Sequence, residues 1–243
     1  SIYSISKTEK NLLDALEALL KPVFSNLDVV RITGWDKQKA NNILKQLKQK
    51  KIITSLQRNK HVITAKISEH AFQIACTVSE PAYVSFWSAL SYYGFTEQQP
   101  RTIQTITTKR NIMGVFGPLS VEATHVKPTH FFGYTKINGF AIADKEKLFI
   151  DSLAHPQKAG GFQEVIACLK SAYPELNKRK CIAYLKKYNN ASLNARFGYL
   201  FETLFHYRLN LPLPTTYVPL NSEAKTNGLQ NKKWRILVNE MIE

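Results

Sequence analysis

From Asp36 the chain runs Asp36-Lys37-Gln38-Lys39-Ala40-Asn41-Asn42-Ile43-Leu44-Lys45-Gln46-Leu47-Lys48-Gln49. Ala40, Ile43, Leu44 and Leu47 fall at i, i+3, i+4 and i+7, the spacing that gathers apolar side chains on one helical face. Asp36 stands where a helix begins and its N–H groups lack partners, so its carboxylate can cap them. Lys37 opens the helix. Gln38, Asn42, Lys45 and Gln49 project from the opposite face, with Lys39 and Asn41 at its edges. Asn and Gln can bond two edges of adenine, and Lys reaches guanine or phosphate, so the polar face suits a DNA major groove.

On the N-terminal side, Gly34 suits a sharp turn between helices. A short helix carrying Leu27, Val29, Val30 and Ile32 is expected before it, capped by Asn26. A first helix is expected from Thr8, with Leu12, Leu13, Leu16, Leu19 and Leu20 on one face and Pro22 ending it. On the C-terminal side, two β-prone runs, 52–56 and 61–65, flank Gln57-Arg58-Asn59-Lys60 and predict a hairpin with a basic tip. Arg58 and Lys60 would lie near phosphates or in a minor groove. Each part alone is a weak signal. Their order predicts a winged helix-turn-helix over residues 1–66.

Charge agrees with that reading. The 243 residues carry a net charge of +15, and residues 1–66 hold 13 Lys/Arg against 5 Asp/Glu. The excess per residue there is about three times that of the remainder, which points to a polyanionic partner. Residues 67–80 read as a linker helix and 81–243 as a second domain with a small sheet first and helices after it. Strands are expected at 102–108 and 119–126. A hairpin is expected around Asn138-Gly139, helices over 144–153, 162–173, 176–188 and 193–209, and a closing strand at 234–238. The fold class expected is therefore α+β.

The segment Glu80-Pro81-Ala82-Tyr83-Val84-Ser85-Phe86-Trp87-Ser88-Ala89-Leu90-Ser91-Tyr92-Tyr93-Gly94-Phe95 resembles a hallmark of AbiEi-type antitoxins, the antitoxin halves of abortive-infection systems. Ala82 replaces the usual Ser, and Phe86 and Phe95 replace the usual Leu. Residues 105–110, 143–151 and 233–239 resemble further segments of that family in the same order. The resemblance implies an N-terminal domain that binds its own promoter as an autorepressor, on inverted repeats of duplex DNA. It also implies a C-terminal domain that counteracts a cognate nucleotidyltransferase toxin in phage defence. A stand-alone winged-helix regulator, whose C-terminal domain binds an effector or dimerises, is the alternative. Without the resemblance, Tyr83, Val84, Phe86, Ala89, Leu90, Tyr93 and Phe95 read as the core of a capped helix.

Signals for catalysis are sparse. His125 and His130 form the one close histidine pair, read as exposed rather than metal-binding. Glu146, Lys147 and Asp151 could supply a nuclease-type acid and base; a solvated, salt-bridged helix face is the plainer reading. There is no Gly-rich phosphate loop, nucleophile elbow or HExxH, so no catalytic residue, metal or cofactor is expected. Cys76, Cys168 and Cys181 read as reduced, as in a cytoplasmic protein. No apolar run approaches the ~18 residues of a membrane span, and no positively charged stretch is followed by an apolar run and a small-residue cleavage site, so neither a span nor a leader is expected in this sequence. Lys178, Arg179, Lys180, Lys186 and Lys187 form a second basic cluster, a candidate contact for phosphate or for a partner's acidic surface.

Overall fold

A computed structural model describes residues 4–242. The chain opens with α1 (Lys7–Glu17), α2 (Asn26–Thr33) and α3 (Lys37–Gln49), then the strands β1 (Ile53–Gln57) and β2 (Lys60–Ile63), then α4 (Ala71–Val78). Next come β3 (Ala82–Val84), α5 (Phe86–Tyr92), β4 (Thr102–Thr107), β5 (Ile112–Phe116) and β6 (Leu119–His125). A hairpin of β7 (Tyr134–Ile137) and β8 (Phe140–Ala143) follows. The helices α6 (Lys145–Ala154), α7 (Phe162–Ala172), α8 (Lys178–Tyr188) and α9 (Ala191–Phe205) come after it. The short strands β9 (Val218–Pro219), β10 (Leu229–Asn231) and β11 (Ile236–Val238) complete the chain. The fold is α+β.

Contacts divide the chain into two compact units. One comprises 1–82 and 101–124, the other 83–100 and 125–243. This differs from the division drawn at 66 and 80, because the segment holding β4, β5 and β6 belongs with the N-terminal elements. The cause is a shared apolar cluster. Leu119 and Val121 of β6 pack with Leu56 and Val62 of the β1–β2 hairpin, Ile67, and Ile74, Ala75 and Val78 of α4. Ser79 and Thr105 add a buried hydroxyl pair at 2.9 Å. The helix expected over 67–80 forms at residues 71–78 and packs into this cluster.

Local chemistry accounts for the first unit's helices. Ser6 caps α1 in a capping box with Glu9, and Ser25 caps α2 in one with Asp28. Both caps differ from the Thr8 and Asn26 expected. In each case a Ser stands three residues before a carboxylate, so the two ends of the box close on each other. Gly34 ends α2 in the left-handed region at φ 69°, which permits the turn into α3. Asp36 caps α3 as expected, its carboxylate accepting from Lys39 N at 2.8 Å. Leu12, Leu16, Phe24, Val29, Ala40, Leu44, Leu47 and Ile53 form the core beneath these elements. Leu20, expected on the apolar face of α1, is fully exposed because the helix stops at Glu17.

In the second unit, β7 and β8 pair antiparallel around Asn138-Gly139, at φ 49° and 82°, the two positive values that a tight hairpin turn needs. β8 also pairs parallel with β3 at Val84 and Ile142. Helix α6 follows and is buried from Glu146 through Leu153. At the C-terminal end β11 lies between β9 and β10. β5, β9 and β10 carry no periodic signal long enough to find in the sequence.

Candidate nucleic-acid interface

α3 turns Ala40, Leu44 and Leu47 into the core, and this leaves Lys37, Gln38, Lys39, Asn41, Asn42, Lys45 and Gln49 exposed. From Lys37 to Lys66 the chain has nine Lys/Arg and no Asp/Glu. β1 and β2 pair antiparallel from Ile53↔Ile63 to Gln57↔Lys60, joined by the two-residue turn Arg58-Asn59. Asn59 sits at φ 61°, a conformation Asn tolerates. Arg58 is exposed at this tip. Lys60 is half-buried and faces Glu80 at 3.5 Å, so part of its charge is met within the protein. On α3, Gln38 Nε2 lies 3.4 Å from Asn42 Oδ1, and the Lys39 ammonium lies 4.9 Å from the Trp35 ring centre. Lys50 is turned away to the buried Glu9, at 2.8 Å.

Polar contacts tie the helix to the hairpin. Asn26 Nδ2 donates to Asn41 Oδ1 at 2.6 Å, Asn26 N donates to Asn59 Oδ1 at 3.0 Å, and Asn26 Oδ1 lies 2.7 Å from His61 Nε2. His61 is 2% exposed. Burial pulls its pKa down to about 4, and the nearby Lys48 charge adds to the effect. Asn26, Asn59 and His61, which tie α3 to the hairpin tip, are not among the candidate contact residues read from the sequence. The signal, three polar residues beside the predicted helix and tip, was present but carried no partner information.

The second unit holds a polar cluster of a different kind. Lys147 and Asp151, one helical turn apart on α6, form a buried ion pair. Tyr83 Oη accepts from Lys147 Nζ at 2.8 Å and donates to Asp151 at 3.1 Å, and Ser85 Oγ donates to the same carboxylate at 2.9 Å. The Lys147 ammonium also lies 5.1 Å from the Phe132 ring centre and 5.4 Å from that of Tyr188. Burial raises the Asp151 pKa, against the pull of Lys147, Ser85 and Tyr83. Glu146 is buried as well, accepting from Asn177 N at 2.8 Å. The expected solvated face is therefore a buried one, because Tyr83 and Ser85 meet Lys147 and Asp151, and Asn177 and Lys180 meet Glu146. Tyr83 and Ser85 thus join two segments that carried the family resemblance, 80–95 and 143–151, and they meet as packing.

The second basic cluster is only partly available. Lys180 pairs with Asp144 at 3.1 Å and Glu146 at 3.4 Å. Lys178 donates to Tyr173 O at 2.9 Å and lies over its ring at 4.1 Å. Lys187 is exposed but lies 4.5 Å from the Phe132 ring centre, whereas Arg179 and Lys186 are exposed on the helix. His130 is half-buried, its Nε2 3.0 Å from Tyr188 O and its ring stacked on Tyr188 at 3.7 Å, so the exposed pair expected with His125 is not formed. Among the described residues no three His, Cys, Asp or Glu side chains gather as metal ligands. No described helix is long and apolar enough to cross a membrane.

No family model matches the chain, and no curated protein matches it. Among solved structures it is similar to the crystal structure of the RV2827C protein from Mycobacterium tuberculosis, with a TM-score of 0.64 at 12% identity. The match covers 96% of this chain and 92% of that one. Likeness at this identity concerns the fold alone, and it agrees with the α+β architecture.

Proposed function

We propose that this chain is a winged helix-turn-helix protein that binds duplex DNA through α3 and the β1–β2 tip. One observation carries the reading: α3 and the hairpin tip lie in one compact unit and leave Lys37, Lys39, Asn42, Lys45, Gln49 and Arg58 exposed in a stretch without carboxylates. α3 would enter the major groove, with Gln38, Asn42 and Gln49 at base edges, Lys37, Lys39 and Lys45 at phosphates, and Arg58 at the flanking backbone or minor groove. Two copies on inverted repeats would each take a half-site.

We further propose that it is an AbiEi-type antitoxin and autorepressor, acting in the cytoplasm against a nucleotidyltransferase toxin. This half rests on the resemblance of 80–95, 105–110, 143–151 and 233–239, an argument by likeness. The proposal contains no catalytic step, metal or cofactor. Glu146 and Asp151, the carboxylates a nuclease reading would use, are buried and already bonded. Two measurements test it. The purified chain is expected to retard the duplex upstream of its own gene, and to restore growth when the adjacent gene product is co-expressed. Failure to retard any duplex rejects DNA binding. Retardation without rescue rejects the antitoxin and leaves a stand-alone regulator.

A further inference from the structure

The contacts of Asn26 fix which atoms of Asn41 can meet DNA. Asn26 Oδ1 has no hydrogen and can only accept, so His61 Nε2, 2.7 Å away, carries the proton. His61 Nδ1 then holds a lone pair, and Ser55 Oγ donates to it at 3.2 Å. With Asn26 Oδ1 turned to His61, Asn26 Nδ2 is turned to Asn41 Oδ1, at 2.6 Å. Each donor meets an acceptor along the whole relay from Ser55 to Asn41. It starts in β1, passes through β2 and the first residue of α2, and ends on the exposed face of α3. The backbone N–H of Asn26 separately holds Asn59 at the hairpin turn, at 3.0 Å.

We infer that Asn26 is a positioning residue for DNA recognition, orienting the Asn41 amide so that it offers its Nδ2 donors, and not its oxygen, to an acceptor on the duplex. This rests on the DNA-binding reading above. It revises the expectation from sequence: a two-edged adenine contact needs both amide oxygen and nitrogen, and here the oxygen is engaged within the protein. The contact left to Asn41 is with a phosphate oxygen, or with a base acceptor such as guanine O6 and N7 or thymine O4. Asn26 needs no contact with DNA.

The test uses the full chain and a duplex enriched by the wild type from a random-sequence pool, with a scrambled duplex of equal length as control. Asn26→Ala and Asn41→Ala are each expected to weaken binding to the enriched duplex about tenfold. The double variant should lose no more than either single one, since both remove the same contact. The salt dependence should stay unchanged, because no charge is lost. Loss confined to the enriched duplex assigns a base acceptor; equal loss on both duplexes assigns a phosphate. Imidazole 15N shifts should report the Nε2–H tautomer of His61 in the free wild type, a readout independent of Asn26→Ala folding. Wild-type-like binding by Asn26→Ala, additive losses, or the Nδ1–H tautomer would each overturn the inference while DNA binding stands. A wild type that binds no duplex overturns the DNA-binding reading and the inference with it.

Discussion

His61 illustrates how one buried residue sets a pH dependence. Its folded pKa of about 4 lies below the ordinary 6.5. Between those values the unfolded chain binds a proton that the folded chain refuses. Stability therefore rises with pH through that window, is fully present above about 6.5, and is lost progressively toward 4. The full effect is about 3 kcal/mol. His61→Gln keeps a donor for Asn26 and removes the titration, so urea unfolding at pH 5 and pH 7.5 should differ less for the variant than for the wild type. Equal pH dependence in the two would remove His61 as the source. The sequence marked neither this burial nor that of the Lys147–Asp151 pair. A histidine in a β-prone run and a Lys/Asp pair at i, i+4 are both common on surfaces. Only the approach of Ser55 across the hairpin, and of Asn26, Tyr83 and Ser85 from distant positions, makes burial tolerable, by satisfying the polar atoms.

At the level of elements, α3 was legible from end to end because its cap and its apolar period lie within fourteen consecutive residues. α6 was legible as a helix but not as a buried one. α9 and the turn before β11 show what neither period nor cap reveals. Trp234, 3% exposed, lies so close to Gly198 on α9 that a Cβ there would overlap the six-membered ring of its indole. The indole Nε1 donates to Glu202 Oε2 at 2.6 Å, one turn further along the helix. Gly198→Ala should therefore destabilise the fold by about 1–3 kcal/mol, despite the better helix propensity of Ala. Thermal unfolding checks this, and an unchanged or raised midpoint would show that Trp234 can withdraw freely.

Across the whole molecule the charge surplus is +15, but its lysines and arginines are not equivalent. Lys45 and Arg58 are exposed in the candidate interface, whereas Lys180 is held by Asp144 and Glu146. Neutralising Lys45 and Arg58 together should lower the slope of log affinity for duplex DNA against log salt by about 2, through two lost phosphate contacts. Lys180→Ala should leave it unchanged. Fluorescence anisotropy at several salt concentrations measures both, and an unaltered slope for the double variant would remove these residues from the interface.

The amino-acid sequence alone determined the α+β class, the succession of three helices and a hairpin, and the polar face of α3. Periodicity, caps and turn residues act over a few neighbouring positions and can be read there. Tertiary structure alone decided that 101–124 packs with the N-terminal unit, that α6 buries its charges, and that Asn26 holds Asn41. Each of those outcomes depends on which residues, fifteen or more positions apart, meet when the core closes, and local spacing carries no record of such meetings.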